Sequence, residues 1–185
     1  MEFDYTLHHP FVFVISGSTQ SGKSTLVDKI LTRKNEIIFP SIVKIVYCFV
    51  EEQQDRFEKL KQALGDSISF QRGMEFEIPE DNEIPTLIIL DDFMDEISGS
   101  YKSQICELAT RGSHHRSLSV IITLQNFFYK NLRTLTLNAK YIVILKNPRD
   151  MTMIKYLSRE IGTKNLLETG ICRCHKRKTL QLYIY

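Results

Sequence analysis

Residues 17–24 read Gly-Ser-Thr-Gln-Ser-Gly-Lys-Ser, which fits the pattern G-x-x-x-x-G-K-[ST] of a phosphate-binding loop. The apolar stretch FVFVI at 11–15 precedes it, and the stretch STLVDKIL at 24–31 follows it with apolar residues at helical spacing. The motif requires this strand–loop–helix context before it counts as a binding site. The segment therefore predicts an α/β fold with a nucleoside triphosphate bound where this strand meets this helix.

The loop residues have distinct expected contacts with the nucleotide. Gly17 and Gly22 allow the backbone to turn, so that its N–H groups and the helix N-terminus face a phosphate anion. Lys23 is expected to reach the β- and γ-phosphates, and the Ser24 hydroxyl is an expected ligand of Mg²⁺. The predicted nucleotide-binding residues are Gly17, Ser18, Thr19, Gln20, Ser21, Gly22, Lys23, Ser24 and Thr25.

Composition indicates one globular domain. The 185 residues are 43% apolar and 25% charged, enough to bury a full core. No apolar run is long enough for a membrane span, and the N-terminus is unlike a signal peptide. Four irregularly spaced cysteines favour a reduced intracellular compartment. We expect a single domain over 1–185, with its core over about 10–160 and a hairpin over about 168–185.

The charge is unevenly distributed along the chain. Residues 1–139 hold 14 Lys+Arg and 19 Asp+Glu, whereas 140–185 hold 10 and 3. The basic run 173–178 is either a nucleic-acid contact or a solvated hairpin turn. Cys172 and Cys174 lie closer together than zinc motifs usually place their ligands, so zinc is not expected there.

Apolar stretches alternate with helical ones, which is typical of a mostly parallel sheet flanked by helices. The predicted strands are 11–16, 42–49, 67–70, 86–91, 118–124 and 141–145. The predicted helices are 23–33, 52–64, about 95–110, 130–138 and 149–161. Two final segments, 170–174 and 179–185, are expected to form an antiparallel hairpin at the sheet edge.

Two carboxylates, Asp91 and Asp92, follow the apolar run LIIL at 87–90. A buried parallel strand of this kind delivers its last residues to the carboxyl edge of the sheet, beside the phosphate loop. We expect Asp91 to hold Mg²⁺, directly or through water, and Asp92 to orient or deprotonate a water. The alternative is a buried strand that ends in a capping Asp.

A basic turn followed by an apolar strand, 110–124, ends at Gln125. An amide at this position can contact both the γ-phosphate and the attacking water. The alternative is that Gln125 and Asn126 cap the next segment. Arg111 and Arg116 are candidate arginine fingers, DNA-phosphate contacts or plain surface residues, and Arg111 is the preferred finger.

These segments together resemble the FtsK/HerA superfamily of DNA-pumping ATPases, and in particular its viral genome-packaging branch. The resemblance covers about 10–160 and depends most on TRGSHHRSLSVIITLQN at 110–126 and on NPRD at 147–150. It implies a RecA-like P-loop NTPase core that forms a pentameric or hexameric ring around double-stranded DNA, with ATP and Mg²⁺ between subunits. Capsid proteins are implied partners, and an infected host cell (cytoplasm or nucleus) or the virion is the implied location.

The resemblance also implies residue roles. Lys23 and Ser24 would bind phosphate and Mg²⁺, Asp91 the metal, Asp92 would activate water, and Gln125 would sense the γ-phosphate. Many members of the superfamily have Glu where this chain has Asp92, so a shorter carboxylate must serve here. Two other functions stay open: a small-molecule or nucleotide kinase, and a nucleotide-gated scaffold for virion assembly.

Overall fold

The architecture is an α/β sheet with helices against it, seen in a computed structural model that describes residues 6–74, 84–93, 105, 107, 108, 117–126, 137–145 and 182–184. Of residues 182–184 it describes the backbone only. The strands are β1 Leu7–His8, β2 Val12–Ser16, β3 Ile38–Phe39, β4 Lys44–Phe49, β5 Ile68–Arg72, β6 Thr86–Asp91, β7 Leu118–Leu124, β8 Tyr141–Ile144 and β9 Leu182–Ile184. The helices are α1 Lys23–Thr32, α2 Lys34–Ile37, α3 Gln54–Leu64 and the 3₁₀ turn Gly65–Ser67.

Seven of the described strands form one sheet in the order β5-β4-β6-β7-β2-β8-β9. Every neighbouring pair from β5 to β8 is parallel, and β9 runs antiparallel to β8. The predicted mostly parallel α/β sheet with an antiparallel edge is therefore confirmed. Of the predicted hairpin, the arm at 170–174 lies outside the described residues.

The central strands are buried on both faces, which explains why they read as continuous apolar runs. Val12 and Val14 of β2 belong to one apolar cluster, which also holds Ile105 and Leu108. Phe13 and Ile15 belong to the other, together with the apolar faces of α1 and α3. Successive residues of β2 belong to different clusters because successive side chains of a strand point to opposite faces of the sheet. The sheet is thus held from both sides, and its strand ends are fixed in space.

Several predicted boundaries agree with the structure. Strands β6 and β7 begin and end where the sequence predicted, while α3 starts at Gln54, two residues later than expected. The predicted helices at about 95–110, 130–138 and 149–161 lie largely outside the described residues. The sequence did not predict a second, two-stranded sheet in which β1 pairs with β3 in parallel. Strands of two residues are too short for periodicity to detect.

In the part of the chain that the structure describes, no helix has both the length and the apolar character needed to cross a lipid bilayer.

Candidate nucleotide-binding site

Three parallel strands end at one edge of the sheet and carry the predicted site residues there. Strand β7 lies between β2, which leads into the phosphate loop, and β6, which ends in Asp91. Ligands of open α/β sheets bind beyond the carboxyl ends of the strands. The sheet order therefore brings the loop, the two carboxylates and Gln125 to the same edge.

The phosphate loop is fixed mainly by backbone contacts. Gly17 N–H donates a hydrogen bond to Leu124 O at 3.0 Å, which ties the start of the loop to the end of β7. A Cβ at Gly17 would lie 2.5 Å from Ser21 Oγ and 2.8 Å from Leu145 Cβ, so only glycine fits there. Gly22 has φ 99°, a left-handed conformation that glycine adopts readily, and α1 begins at the next residue. The N-terminus of α1 is thereby presented at the sheet edge.

Lys23 lies at the mouth of the loop and is only 9% exposed. Its Nζ donates hydrogen bonds to Gly17 O at 2.7 Å and to Ser18 O at 3.0 Å. Burial lowers the pKa of Lys23, and the negative charges of Asp92 and Asp91 partly oppose that shift. A cation that has lost much of its hydration is well suited to an anionic ligand, because the ligand replaces the lost water contacts.

Asp91 is buried and accepts hydrogen bonds from three side chains. Its Oδ2 accepts from Tyr47 Oη at 2.5 Å and from Arg56 Nη1 at 3.0 Å. Its Oδ1 accepts from Thr123 Oγ1 at 2.7 Å. Burial raises the pKa of the Tyr47 phenol, and the negative charge of Asp91 raises it further. Tyr47 therefore stays protonated and remains a donor to the carboxylate.

Asp92 and Gln125 meet at the exposed rim of the site. Gln125 Nε2 lies 3.0 Å from each carboxylate oxygen of Asp92. Asp92 has φ 62°, an uncommon conformation for a residue with a side chain. Its N–H donates to Thr123 Oγ1 at 3.0 Å, so the same hydroxyl that holds Asp91 also stabilises this turn. The carboxylate and the amide are thus placed side by side next to the loop.

The remaining predicted residues fall in two places. Ser24 is half-buried in the first turn of α1 and Thr25 is exposed beside it. Arg111 and Arg116 lie outside the described residues, so the arginine-finger assignment stays a prediction. The roles given to Lys23 and Gln125 also stay predictions, although the structure brings both to one edge.

The oxygen donors at this edge fit a magnesium ion. Mg²⁺ prefers hard oxygen ligands and is usually bound by one or two protein oxygens together with phosphate oxygens. The Ser24 hydroxyl and the Asp91 carboxylate are donors of this kind. Within the described ranges, no three His, Cys, Asp or Glu side chains cluster as a metal site. A metal ion here would thus depend on phosphate oxygens for part of its ligand set.

Sequence reasoning missed Tyr47, Arg56 and Thr123, which surround Asp91. Thr123 had a weak signal, because it and Ser119 are the two polar residues in a mainly apolar strand. Arg56 lies beside Phe57 in a charged helix, and Tyr47 lies within a buried apolar strand. Neither position differs in sequence from an ordinary surface arginine or core tyrosine.

The chain has the α/β fold of RecA-like P-loop NTPases, with a loop of their phosphate-binding pattern at the edge of the sheet. The DNA-packaging ATPase B204 from Sulfolobus Turreted Icosahedral Virus is similar, with TM-score 0.59 and 13% identity over 94% of this chain and 96% of that one. The genome packaging NTPase B204 from Sulfolobus turreted icosahedral virus 2, in complex with ATP-gammaS, gives TM-score 0.54 and 17% identity over 94% and 92%.

A second kind of protein has the same fold. The cytoplasmic domain of EssC gives TM-score 0.61 and 17% identity. The match covers 80% of this chain and 33% of the EssC chain. Identities this low establish the fold alone, and the predicted RecA-like α/β fold is confirmed at that level. No protein-family profile matches the sequence, and no curated protein matches it significantly.

Proposed function

We propose that this chain is an ATP-hydrolysing motor of the FtsK/HerA type that moves a double-stranded viral DNA genome into a capsid. The contact between Gln125 Nε2 and both carboxylate oxygens of Asp92 carries the hydrolysis part of the proposal. A carboxylate and an amide side by side near a phosphate loop can hold and polarise one water molecule. A kinase takes its acceptor from a substrate and has no need of this pair.

Each residue at the sheet edge has a distinct role in the proposed hydrolysis. Lys23 exchanges its contacts with the loop carbonyls for phosphate oxygens and stabilises their negative charge. Ser24 and Asp91 would hold Mg²⁺, which neutralises charge on the phosphates when it is bound. Asp92 accepts a hydrogen bond or a proton from the attacking water, and Gln125 orients that water against the γ-phosphate.

The DNA-packaging part is supported by similarity of fold over nearly the full length of both chains. The DNA-packaging ATPase B204 matches 94% of this chain over 96% of its own length. By analogy the working form is a pentameric or hexameric ring, in which Arg111 of one subunit completes the site of the next. Capsid proteins are the proposed docking partners, and infected host cells or virions the proposed location.

The test is the rate of ATP hydrolysis with and without double-stranded DNA, measured at low salt, where phosphate contacts are strongest. We expect DNA to stimulate turnover, and a non-hydrolysable ATP analogue to favour multimers in mass measurement. Turnover that is indifferent to DNA would contradict the motor. Transfer of the γ-phosphate to a nucleoside acceptor would contradict hydrolysis and favour the kinase.

A further inference from the structure

Arg56 lies on α3 and reaches between the phosphate-loop helix α1 and the end of strand β6. We propose that Arg56 is a positioning residue, which fixes the metal-binding carboxylate of Asp91 relative to α1 and prevents Asp91 from holding a divalent cation without nucleotide. The inference rests on the proposed role of Asp91 in nucleotide hydrolysis.

The guanidinium is held from several sides. Nε and Nη2 donate to the Asp28 carboxylate at 2.7–3.0 Å, and Nη1 donates to Asp91 Oδ2 at 3.0 Å. Nη2 also donates to Tyr47 Oη at 2.7 Å and to Ser24 O at 3.3 Å. The side chain is 15% exposed. A planar donor fork used in this way leaves the guanidinium little freedom to move.

These contacts join the two halves of the site. Asp28 lies one helical turn after Ser24 on α1, and Asp91 ends β6. The Asp28–Arg56–Asp91 chain of ion pairs therefore sets the distance between the helix that carries Ser24 and the carboxylate that would share a metal ion with it. The 3.3 Å contact from Arg56 Nη2 to the Ser24 carbonyl places these ion pairs at the first turn of α1.

The guanidinium also places a positive charge next to the Asp91 carboxylate. Oδ2 already accepts from Tyr47 and Arg56, which uses its two lone pairs, whereas Oδ1 accepts from Thr123 and has room for one more partner. A bare divalent cation at Asp91 would face the positive charge of Arg56 at close range. Phosphate oxygens reduce that repulsion because they bring their own negative charge. Asp91 then contributes to metal binding only together with nucleotide.

The competing interpretation is a buried ion pair that serves stability alone. Removal of one partner of such a pair destabilises a protein whatever its function. A purely structural role predicts that a folded variant keeps its kcat for ATP, whatever its affinity for metal ions. A loss of kcat together with a gain of Mn²⁺ binding is therefore the combination that separates the two interpretations.

The experiment compares Arg56→Gln, Arg56→Lys and the matched control Arg33→Gln, whose ion pair with Glu36 is exposed. Mn²⁺ binding to the nucleotide-free protein is followed by electron paramagnetic resonance, and kcat and KM for ATP are measured on the same samples. Thermal melting confirms that each variant is folded.

We expect Arg56→Gln to bind about one Mn²⁺ per chain without nucleotide, because Asp28 and Asp91 then face each other with no cation between them. We expect kcat to fall about tenfold or more with a much smaller change in KM, because the loop still binds phosphate. Arg56→Lys should gain no Mn²⁺ site, since it keeps the charge, and should show a smaller loss of kcat. Arg33→Gln should match the wild type.

A folded Arg56→Gln protein that binds no Mn²⁺, or that keeps the wild-type kcat, would overturn the proposal. If that variant does not fold, Asp28→Asn/Arg56→Gln removes both charges of one ion pair. Asp91 alone should then bind Mn²⁺ more weakly than two carboxylates would, but more tightly than it does in the wild type without nucleotide, and an affinity equal to that of the wild type would overturn the proposal. A wild-type protein without ATP hydrolysis would refute the proposed function, whereas the Mn²⁺ titration would still decide the role of Arg56.

Discussion

The phosphate loop and the acid edge (Asp91, Asp92, Gln125) lie side by side but are held by different kinds of contact. Gly17 N–H and Lys23 Nζ are both bound to backbone carbonyls, so the loop depends on main-chain geometry. The acid edge is held by side chains from other elements, among them Tyr47, Arg56 and Thr123. Changes of side chain should therefore affect the loop at few positions and the acid edge at many.

The largest effect is expected from Lys23→Ala, which removes the cation of the loop and its two hydrogen bonds to loop carbonyls but leaves the main-chain hydrogen bonds of the loop in place. We expect turnover to fall by about 10²–10³, as for other groups that stabilise developing phosphate or oxyanion charge. Turnover and the affinity for a fluorescent nucleotide would be measured together. The control is Lys29→Ala, an exposed residue on the same helix, which should behave as the wild type. Equal turnover in both variants would refute the role of Lys23.

An intermediate effect is expected from Thr123→Val, which keeps the shape of the side chain but removes the hydroxyl. Asp91 loses a donor and the Asp92 N–H loses its acceptor, so the free energy of unfolding should fall by about 1–3 kcal/mol. Turnover should fall as well, because the conformation of Asp92 is no longer supported. Urea denaturation and ATPase rates provide the two measurements.

Thr123→Ser is the matched control for that change, because it retains the hydroxyl and should retain most of both properties. If Thr123→Val were as stable and as active as the serine variant, the acid edge would not depend on its side-chain contacts, and the contrast with the loop would disappear.

The smallest effect is expected at the opposite ends of the same strands, where His9 contacts Ser119. The His9 Nδ1 atom lies 2.5 Å from Ser119 Oγ, and His9 Nε2 has no hydrogen-bond partner among the described residues. Burial lowers the pKa of His9 below its ordinary value of 6.5. The unfolded chain therefore binds a proton more readily, and the folded state loses stability as the pH falls through 6.5.

Urea denaturation between about pH 5 and 8 would detect this loss in the wild type. His9→Asn should reduce the pH dependence of the free energy of unfolding. The control is His8→Asn, at the exposed neighbouring position, which should retain the wild-type pH dependence. Turnover at pH 8, where the histidine is neutral, should be the same in all three proteins. An unchanged pH dependence in His9→Asn would show that His9 does not cause the loss.

The same contrast explains how much of the site could be predicted from sequence. The loop is continuous, so its pattern and its flanks are visible within residues 11–31. Strands β6 and β7 were predicted with their correct ends, because a strand buried on both faces is a continuous apolar run. The position of Asp91 followed from that prediction.

The partners of Asp91 could not be predicted in the same way. Tyr47 and Arg56 reach it from β4 and α3, and only the strand order β4-β6-β7 and the packing of α3 bring them together. Sequence distance gives no information on such contacts. The proximity of Asp92 and Gln125 was easier to predict, because each residue follows a predicted strand and both strands end at the same edge of the sheet.

The position of β7 between β2 and β6 has a geometric consequence. Neighbouring strands lie about 4.7–4.9 Å apart, so one intervening strand separates the strand of the phosphate loop from the strand of the carboxylates by roughly 9–10 Å. Directly adjacent strands would leave only half of that gap. The sheet itself thus acts as a spacer, and its width leaves room for a phosphate group and a metal ion bound to it.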